Sequence, residues 1–305
     1  MNKGNLEKEV FRLMRCDNLG DCRDMLNIFL EYFFRVIRNN DKVGGSTSMY
    51  KDARMVNQMI FSKVAHLKEF LNGIEYQATD GMRLNRIIDP TLLAILVRNI
   101  FETIGMFNVV YVKPKSNDEK SILYNLWVLA GLNYRQRFAT ESMTEDAKRK
   151  VAHEIEQIKT FKERITDTKL YKSLSLKDQG KILTKIKEKD YKIYFENNEV
   201  HFLTWSDITK IMNIKDKITD EMYTYFSLYA HPSNVSVFQF ANLFKASEEH
   251  FVNMTIFNLK YSFFLISTFI DDYRNLFPEI MQTFETLSIR DKMVLHNLNV
   301  ISRAT

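Results

Sequence analysis

Residues that interrupt regular structure are scarce: the 305-residue chain holds 9 Gly and 4 Pro, well under the roughly 12% that average usage gives. Turns are therefore few, long elements carry most of the chain, and an all-β fold is excluded. Cysteine is scarcer still. Cys16 and Cys22 have no histidine nearby, so neither a disulfide framework nor a four-ligand zinc site assembles from local sequence, and a reducing cytoplasm is the expected compartment. The opening MNKGNLEKEVF carries no apolar run or small-residue cleavage site, so no secretory leader is expected in it. Nucleotide and hydrolase signatures are missing too: there is no GxGxxG, Walker loop or GxSxG elbow. The linker Asn39–Ser48 contains VGGSTS without the Gly-Lys-Ser/Thr ending of a phosphate loop. His153-Glu154-x-x-Gln157 lacks the second histidine of a zinc protease helix, and Asp271-Asp272 has no matching carboxylate cluster, so these read as surface residues. No metal and no cofactor are expected.

What is present is apolar and charged: 45% hydrophobic and 27% charged residues, enough for a packed core and far from the composition of a disordered chain. Helical spacing predicts helices near 5–16, 19–39 and 49–74, the last with Val56, Met59, Ile60, Val64, Leu67 and Leu71 in register. Asp89-Pro90 reads as an N-cap followed by proline at the first helical position, opening a helix to Val112. Another runs from Asn117 to Phe138. Ser142-Met143-Thr144-Glu145 has the capping-box pattern and precedes a charged helix ending near Ile165. Tyr191–Phe195 and Val200–Thr204 alternate around Glu196-Asn197-Asn198-Glu199 and predict a hairpin. A helix from Trp205 to Ile214, with Ser206 as cap, follows. Helices are then expected from Thr219 to His231, over 234–245 and 247–276, and from Pro278 to 303. The fold class is all-α, a multi-helix bundle with a small β-hairpin insertion. Three segments are expected: 1–139, a bundle including the Arg98/Glu102 helix; 140–218, a basic module with the hairpin; and 219–305, helices completing the bundle.

Pro90–Val112 and Phe251–Ile270 are each long enough to span a bilayer at roughly 20 residues. Arg98, Asn99, Glu102 and Asn108 in the first, and Asn253, Asn258 and Lys260 in the second, are costly in hydrocarbon. Both are therefore expected to be core helices, and no integral membrane span is expected.

Arg98 and Glu102 are the charges of Pro90–Val112, four residues apart and so on one face. They are either an ion pair that fixes helix docking or a site with an anion donor and an acid or base. Tyr223, Ser227 and His231 recur every four residues before Pro232-Ser233, giving one face a phenol, a hydroxyl and an imidazole. That stripe is either a hydrogen-bond ladder with Ser233 or Asn234 capping the next helix, or a proton-handling surface. Between Lys148 and Lys192, twelve Lys and two Arg face seven acidic residues, a local charge of +7 against +5 for the chain. Lys177, Lys181, Lys185 and Lys189 form a helical stripe opposite Ile182 and Ile186, which is either a solvated face or a contact for phosphates or anionic lipid heads.

The pair Arg98-x-x-x-Glu102, the later Tyr223-x-x-x-Ser227-x-x-x-His231-Pro232-Ser233 and the intervening Trp205 resemble the pattern of a bacterial helical family of unknown function. The resemblance covers roughly residues 85–240. That family is similar in its helical build to HEPN-type domains, modules of bacterial toxins and phage defence. The resemblance implies that Arg98, Glu102, Tyr223, Ser227 and His231 converge in space; these are the candidate catalytic residues, and Ser233, Trp205 and, from the basic stripe, Lys177, Lys181 and Lys185 are the candidate ligand contacts. It also implies a homodimer. HEPN ribonucleases carry Arg-x(4-6)-His, and Arg290 and His296 fit that spacing at the frequency chance allows.

The expected function is a metal-independent polar pocket for an anionic ligand, an RNA or nucleotide phosphodiester. In it Arg98 holds the anion, His231 exchanges protons, Glu102 orients Arg98 or serves as second acid or base, and Tyr223 and Ser227 position the ligand. The alternative is a non-catalytic interaction protein whose basic module docks a partner or nucleic acid.

Overall fold

The structure is a computed structural model, and it describes residues 3–40, 47–138, 143–215, 222–231, 233–243 and 248–303. Among these the secondary structure is helical apart from two antiparallel hairpins, so the all-α class with a small hairpin holds. The helices are α1 (Lys3–Arg15), α2 (Leu19–Asn40), α3 (Ser48–Phe70), α4 (Pro90–Phe107), α5 (Asn117–Arg135), α6 (Glu145–Thr166), α7 (Lys169–Ser173), α8 (Leu176–Glu188) and α9 (Trp205–Ile211). They continue as α10 (Met222–Ala230), α11 (Asn234–Leu243), α12 (Glu248–Leu276), α13 (Met281–Glu285) and α14 (Ile289–Ser302). The hairpins are β1 (Ile74–Gln77) with β2 (Arg83–Ile87), and β3 (Ile193–Glu196) with β4 (Glu199–Phe202).

The chain divides into two compact units: residues 1–105 with 209–305, and residues 106–208. In the first, α2 places Met25, Leu26, Phe29, Phe33 and Val36 on one buried face at three- and four-residue spacing. Phe29 meets Phe263 and Phe33 meets Phe269 of α12, with ring centroids 5.8 and 6.1 Å apart. α1 and α14 pack beside this pair. α4 buries Leu93, Ala94, Val97, Ile100, Phe101 and Ile104, and its Pro90 carbonyl accepts from the buried Asn258 of α12 at 3.3 Å. Asp89 starts α4 as its sequence predicts, accepting from the Thr91 N–H at 2.8 Å. Among the described residues one helical stretch, Pro90–Val112, is long and apolar enough to cross a membrane, and 72% of its most apolar window is buried in the protein.

In the second unit α5 packs on α6 and α8. The composition shift at residue 140 falls inside this unit, because the Lys-rich helices share a core with α5. Lys181 and Asp178 of α8 grip the second hairpin: the Lys181 ammonium donates to the Val200 carbonyl at 2.6 Å, and Asp178 accepts from the Val200 N–H at 3.1 Å.

Several local expectations change. The third helix stops at Phe70 rather than 74, because Gly73 takes a φ of +67° and a Cβ there would meet the Ile87 carbonyl oxygen at 2.6 Å. The β1–β2 hairpin that follows is absent from the sequence reading. Pro90–Val112 is not α-helical throughout: Asn108–Val112 is a π-turn closed by the Lys113 N–H on the Asn108 carbonyl at 3.0 Å. The β-branched Val109, Val110 and Val112 crowd an α-helical turn, and the wider turn relieves them. Thr144, not Ser142, caps α6, accepting from the Ala147 N–H, and Ser142 lies outside the described residues, as do Thr219, Pro232 and residues 43–46 of VGGSTS. α9 is capped by Thr204, not Ser206, with Thr204 and Asp207 bonding reciprocally. The last predicted helix breaks between Thr286 and Ser288, where Ser288 caps α14.

Candidate functional site

Arg98 and Glu102 occupy one face of α4, as their spacing requires, and the Arg98 Nε donates to Glu102 at 2.9 Å. α10 supplies the third member. Met222, Phe226 and Tyr229 anchor α10 by burial, which turns Tyr223 toward α4. The Arg98 Nη2 donates to the Tyr223 hydroxyl at 2.9 Å, and the guanidinium carbon lies 4.9 Å from the Tyr223 ring centroid. Phe101 backs the ring at 5.8 Å. The Arg98 side chain is 15% exposed and that of Glu102 30%. The ion pair is therefore neither dry nor fully solvated.

One edge of the guanidinium is not used: Arg98 Nη1 is buried and has no hydrogen-bond acceptor among the described residues. A buried N–H of a charged group without an acceptor costs more than an ordinary missed hydrogen bond. The position is one where an anionic oxygen would be stabilised.

The other predicted members do not all join. Ser227 donates to the Tyr223 carbonyl at 2.6 Å, so its proton is spent within its own helix. His231 is exposed at the end of α10, and among the described residues no hydrogen bond reaches its ring. Eight residues of helix separate it from Tyr223, about 12 Å of rise at 1.5 Å per residue. The expected convergence is thus a cluster of three with His231 two turns away. Ser233 is a helix cap: its hydroxyl donates to the Leu228 carbonyl at 3.0 Å and accepts from the Ser236 N–H at 3.1 Å.

Trp205 and the lysines belong to the second unit. The lysine stripe is not a free cationic face. Lys181 pairs with Asp178 at 2.8 Å, and Lys185, nearly buried, pairs with Asp190 at 2.8 Å and Glu188 at 3.2 Å and lies over the Phe202 ring. Lys181 reaches the hairpin through the Val200 carbonyl and Lys185 pairs with Asp190 in the segment that enters it, while Asp178 and Glu188 belong to α8 itself. Lys177 is exposed. Lys192 lies 5.5 Å from the Trp205 ring centroid.

Sequence reasoning missed Lys63 of α3, whose ammonium donates to the Asn99 side-chain oxygen and whose pKa burial pushes below the ordinary lysine value. Asn99 follows Arg98 on α4, about 100° round the helix from it. Spacing along α3 carries no sign of a partner on α4. Arg290 pairs with Asp291 at 2.8 Å and lines a groove of about 600 Å³ with Glu31, Phe34, Phe61 and Lys68, while His296 is exposed. At 100° per residue the two point about 120° apart on α14, which separates them as a catalytic pair. Asp272 is not a surface acid but is buried and bonded to Arg303 at 2.5 Å. His153 is exposed, as expected, whereas Glu154 is buried and paired with Arg135. Among the described residues no group of three or more metal-ligating side chains comes together.

The chain matches no family model, no curated protein and no solved structure.

Proposed function

We propose that Arg98, Glu102 and Tyr223 form a binding site for an anionic oxygen, and that the ligand is a phosphodiester of RNA. The observation that carries this reading is the buried, unaccepted Nη1 of Arg98. Glu102 and Tyr223 fix the other two edges of the guanidinium and so hold the free edge in one orientation. His231 stands about 12 Å along the same helix, beyond the span of one phosphate held by Arg98, so an extended strand rather than a mononucleotide engages both. On such a strand His231 presents the imidazole that serves as acid or base. The resemblance to HEPN-like bacterial proteins points to the same ligand class and adds a homodimer in the cytoplasm.

The test is binding and cleavage of a labelled oligoribonucleotide by the wild-type chain, Arg98→Met and His231→Ala. The expected pattern is binding lost in Arg98→Met and retained in His231→Ala, with any cleavage lost in both. Equal RNA affinity of wild type and Arg98→Met refutes the site.

A second reading is favoured by one observation: Arg98 already ties α4 to α10 through its Nη2 hydrogen bond to Tyr223 and the stacking of its guanidinium on that ring. In this reading the protein is a helical interaction scaffold and Arg98 is a structural pin. It predicts that Arg98→Met is strongly destabilised and that no RNA binds.

A further inference from the structure

From Met222 to Phe244 the chain contains no Asp, Glu, Lys or Arg, its longest such stretch, and among the described residues this stretch forms α10 and α11. α10 is the anchored half. Its Tyr225 ring lies 5.4 Å from that of Phe257 on α12, and its Phe226 ring 5.9 Å from that of Tyr261. α11 packs on α10 and is built in reverse. A helix on the surface of a soluble protein turns its apolar side inward. In α11 the inward residues are Ser236, which is buried, and Gln239, which accepts from the Tyr229 hydroxyl of α10. At 100° per residue Val237 and Phe238 stand on the opposite side, 56% and 63% exposed, with the exposed Val235 beside them.

The three serines of the pair spend their hydroxyls within it. Ser227 donates to the Tyr223 carbonyl and Ser233 to the Leu228 carbonyl. The Ser236 hydroxyl accepts from the Ser233 N–H at 3.0 Å and donates to the Ser233 carbonyl at 2.9 Å. Between Val235 and Ala241 the outward side of α11 therefore presents hydrocarbon without charge. That selects the partner. A protein interface carries about one hydrogen bond per 100–200 Å² and a polar rim, which this side has no groups to make. A bilayer demands the reverse: no charge, and polar groups satisfied within the segment that enters it.

We propose that α11 is a membrane-docking helix, lying in the surface of a phospholipid bilayer with Val235, Val237 and Phe238 among the acyl chains. Asn234 and Asn242, exposed at its two ends, meet the headgroups. The attraction is apolar. The stretch carries no cation, and the charges that bracket it, Glu221 and Lys245, are of opposite sign, so neutral lipid suffices and salt does not weaken binding.

The experiment floats the full chain with vesicles of phosphatidylcholine alone, at low and high salt. Binding at both salts is expected, weakened about tenfold or more in Phe238→Asp, the loss that one inserted phenyl group carries. Because Phe238 is exposed, that variant is expected to keep the circular dichroism and urea midpoint of the wild type, so lost binding is not lost folding. In Phe238→Trp, the indole emission, taken above the wild-type signal of Trp127 and Trp205, is expected to move to shorter wavelength on vesicles and to be quenched by brominated acyl chains. Four results overturn the proposal: a wild-type chain that stays unbound, equal binding of wild type and Phe238→Asp, binding that needs anionic phosphatidylglycerol and disappears in salt, which the lysines of the other unit would explain, or a dimer that Phe238→Asp dissociates, which would make a second copy the occupant.

Discussion

Replacing Arg98 by methionine separates a ligand site from a structural pin, because the two roles predict different stabilities. Methionine keeps a long flexible side chain against the Tyr223 ring, where its sulfur substitutes for the stacked guanidinium. Three polar terms change. The partly exposed Arg98–Glu102 pair is worth about 1 kcal/mol, and Glu102, 30% exposed, regains water when it is lost. The hydrogen bond from the charged Nη2 to Tyr223 is worth about 2 kcal/mol. Against these, the buried Nη1 without an acceptor costs the folded state about 1 to 3 kcal/mol, and that cost disappears with the guanidinium. The terms nearly cancel, so Arg98→Met is expected to lie within about 2 kcal/mol of wild type. RNA affinity is expected to fall tenfold or more, since about 1.4 kcal/mol of a lost charge-assisted contact is a factor of ten. Equilibrium urea unfolding followed by far-UV circular dichroism gives the first quantity, and fluorescence anisotropy with a labelled oligoribonucleotide the second. A loss of stability above about 4 kcal/mol, with RNA affinity unchanged, would refute the reasoning: Arg98 would then be a pin and its third edge would have no ligand.

Two further outcomes concern the framework. Arg303 donates to the Met212 carbonyl at 2.6 Å, to the Thr268 carbonyl at 3.2 Å and to the buried Asp272 at 2.5 Å. Arg303→Ala leaves that carboxylate without its arginine and is expected to cost about 3 kcal/mol in urea unfolding, with Arg303→Ala/Asp272→Asn recovering part of it; a loss below about 1 kcal/mol contradicts this account. The Asp178 carboxyl is held well below the usual carboxylate range by Lys181, the Ser175 hydroxyl and the Val200 N–H. A carboxylate whose folded pKa is depressed contributes stability above its unfolded value, near 3.9, and loses it as pH falls through the folded value. Hairpin docking on α8 is therefore expected to be constant near neutrality and to weaken only in strong acid, read by hydrogen exchange at the Val200 amide. Asp178→Asn should weaken it near neutrality and flatten the acid limb, and an unchanged acid limb in that variant would show that Asp178 is not the group responsible.

Much of this molecule is written locally. Asp89-Pro90 opens α4, Glu196-Asn197-Asn198-Glu199 turns the second hairpin with both asparagines at positive φ, and the four-residue spacing alone pairs Arg98 with Glu102. Helix faces and tight turns depend on near neighbours, which is why they can be read. The contact of Arg98 with Tyr223 joins residues 125 apart, and no periodicity encodes it. Part of the lysine stripe is hidden for the same reason: the Val200 carbonyl that receives Lys181 comes from another element, and Lys181 and Lys185 are paired while Lys177 stays exposed. The π-turn at Asn108–Val112 was hidden differently, since apolar spacing cannot distinguish an α-turn from one residue more per turn. Residues at i and i+8 share a face, but two turns of helix lie between them.

The two-unit division has a bearing on how the chain is made. Residues 106–208 form a contiguous unit, whereas the other unit joins residues 1–105 to residues 209–305. During synthesis the contiguous unit can close its contacts once its own residues have left the ribosome, since domains fold as units in the order they emerge. α2 cannot: its partner α12 is translated roughly two hundred residues later. Until then the Phe29 and Phe33 face of α2 is bare apolar surface on a nascent chain, a surface for a chaperone to cover, and slowing translation lengthens that exposure rather than relieving it.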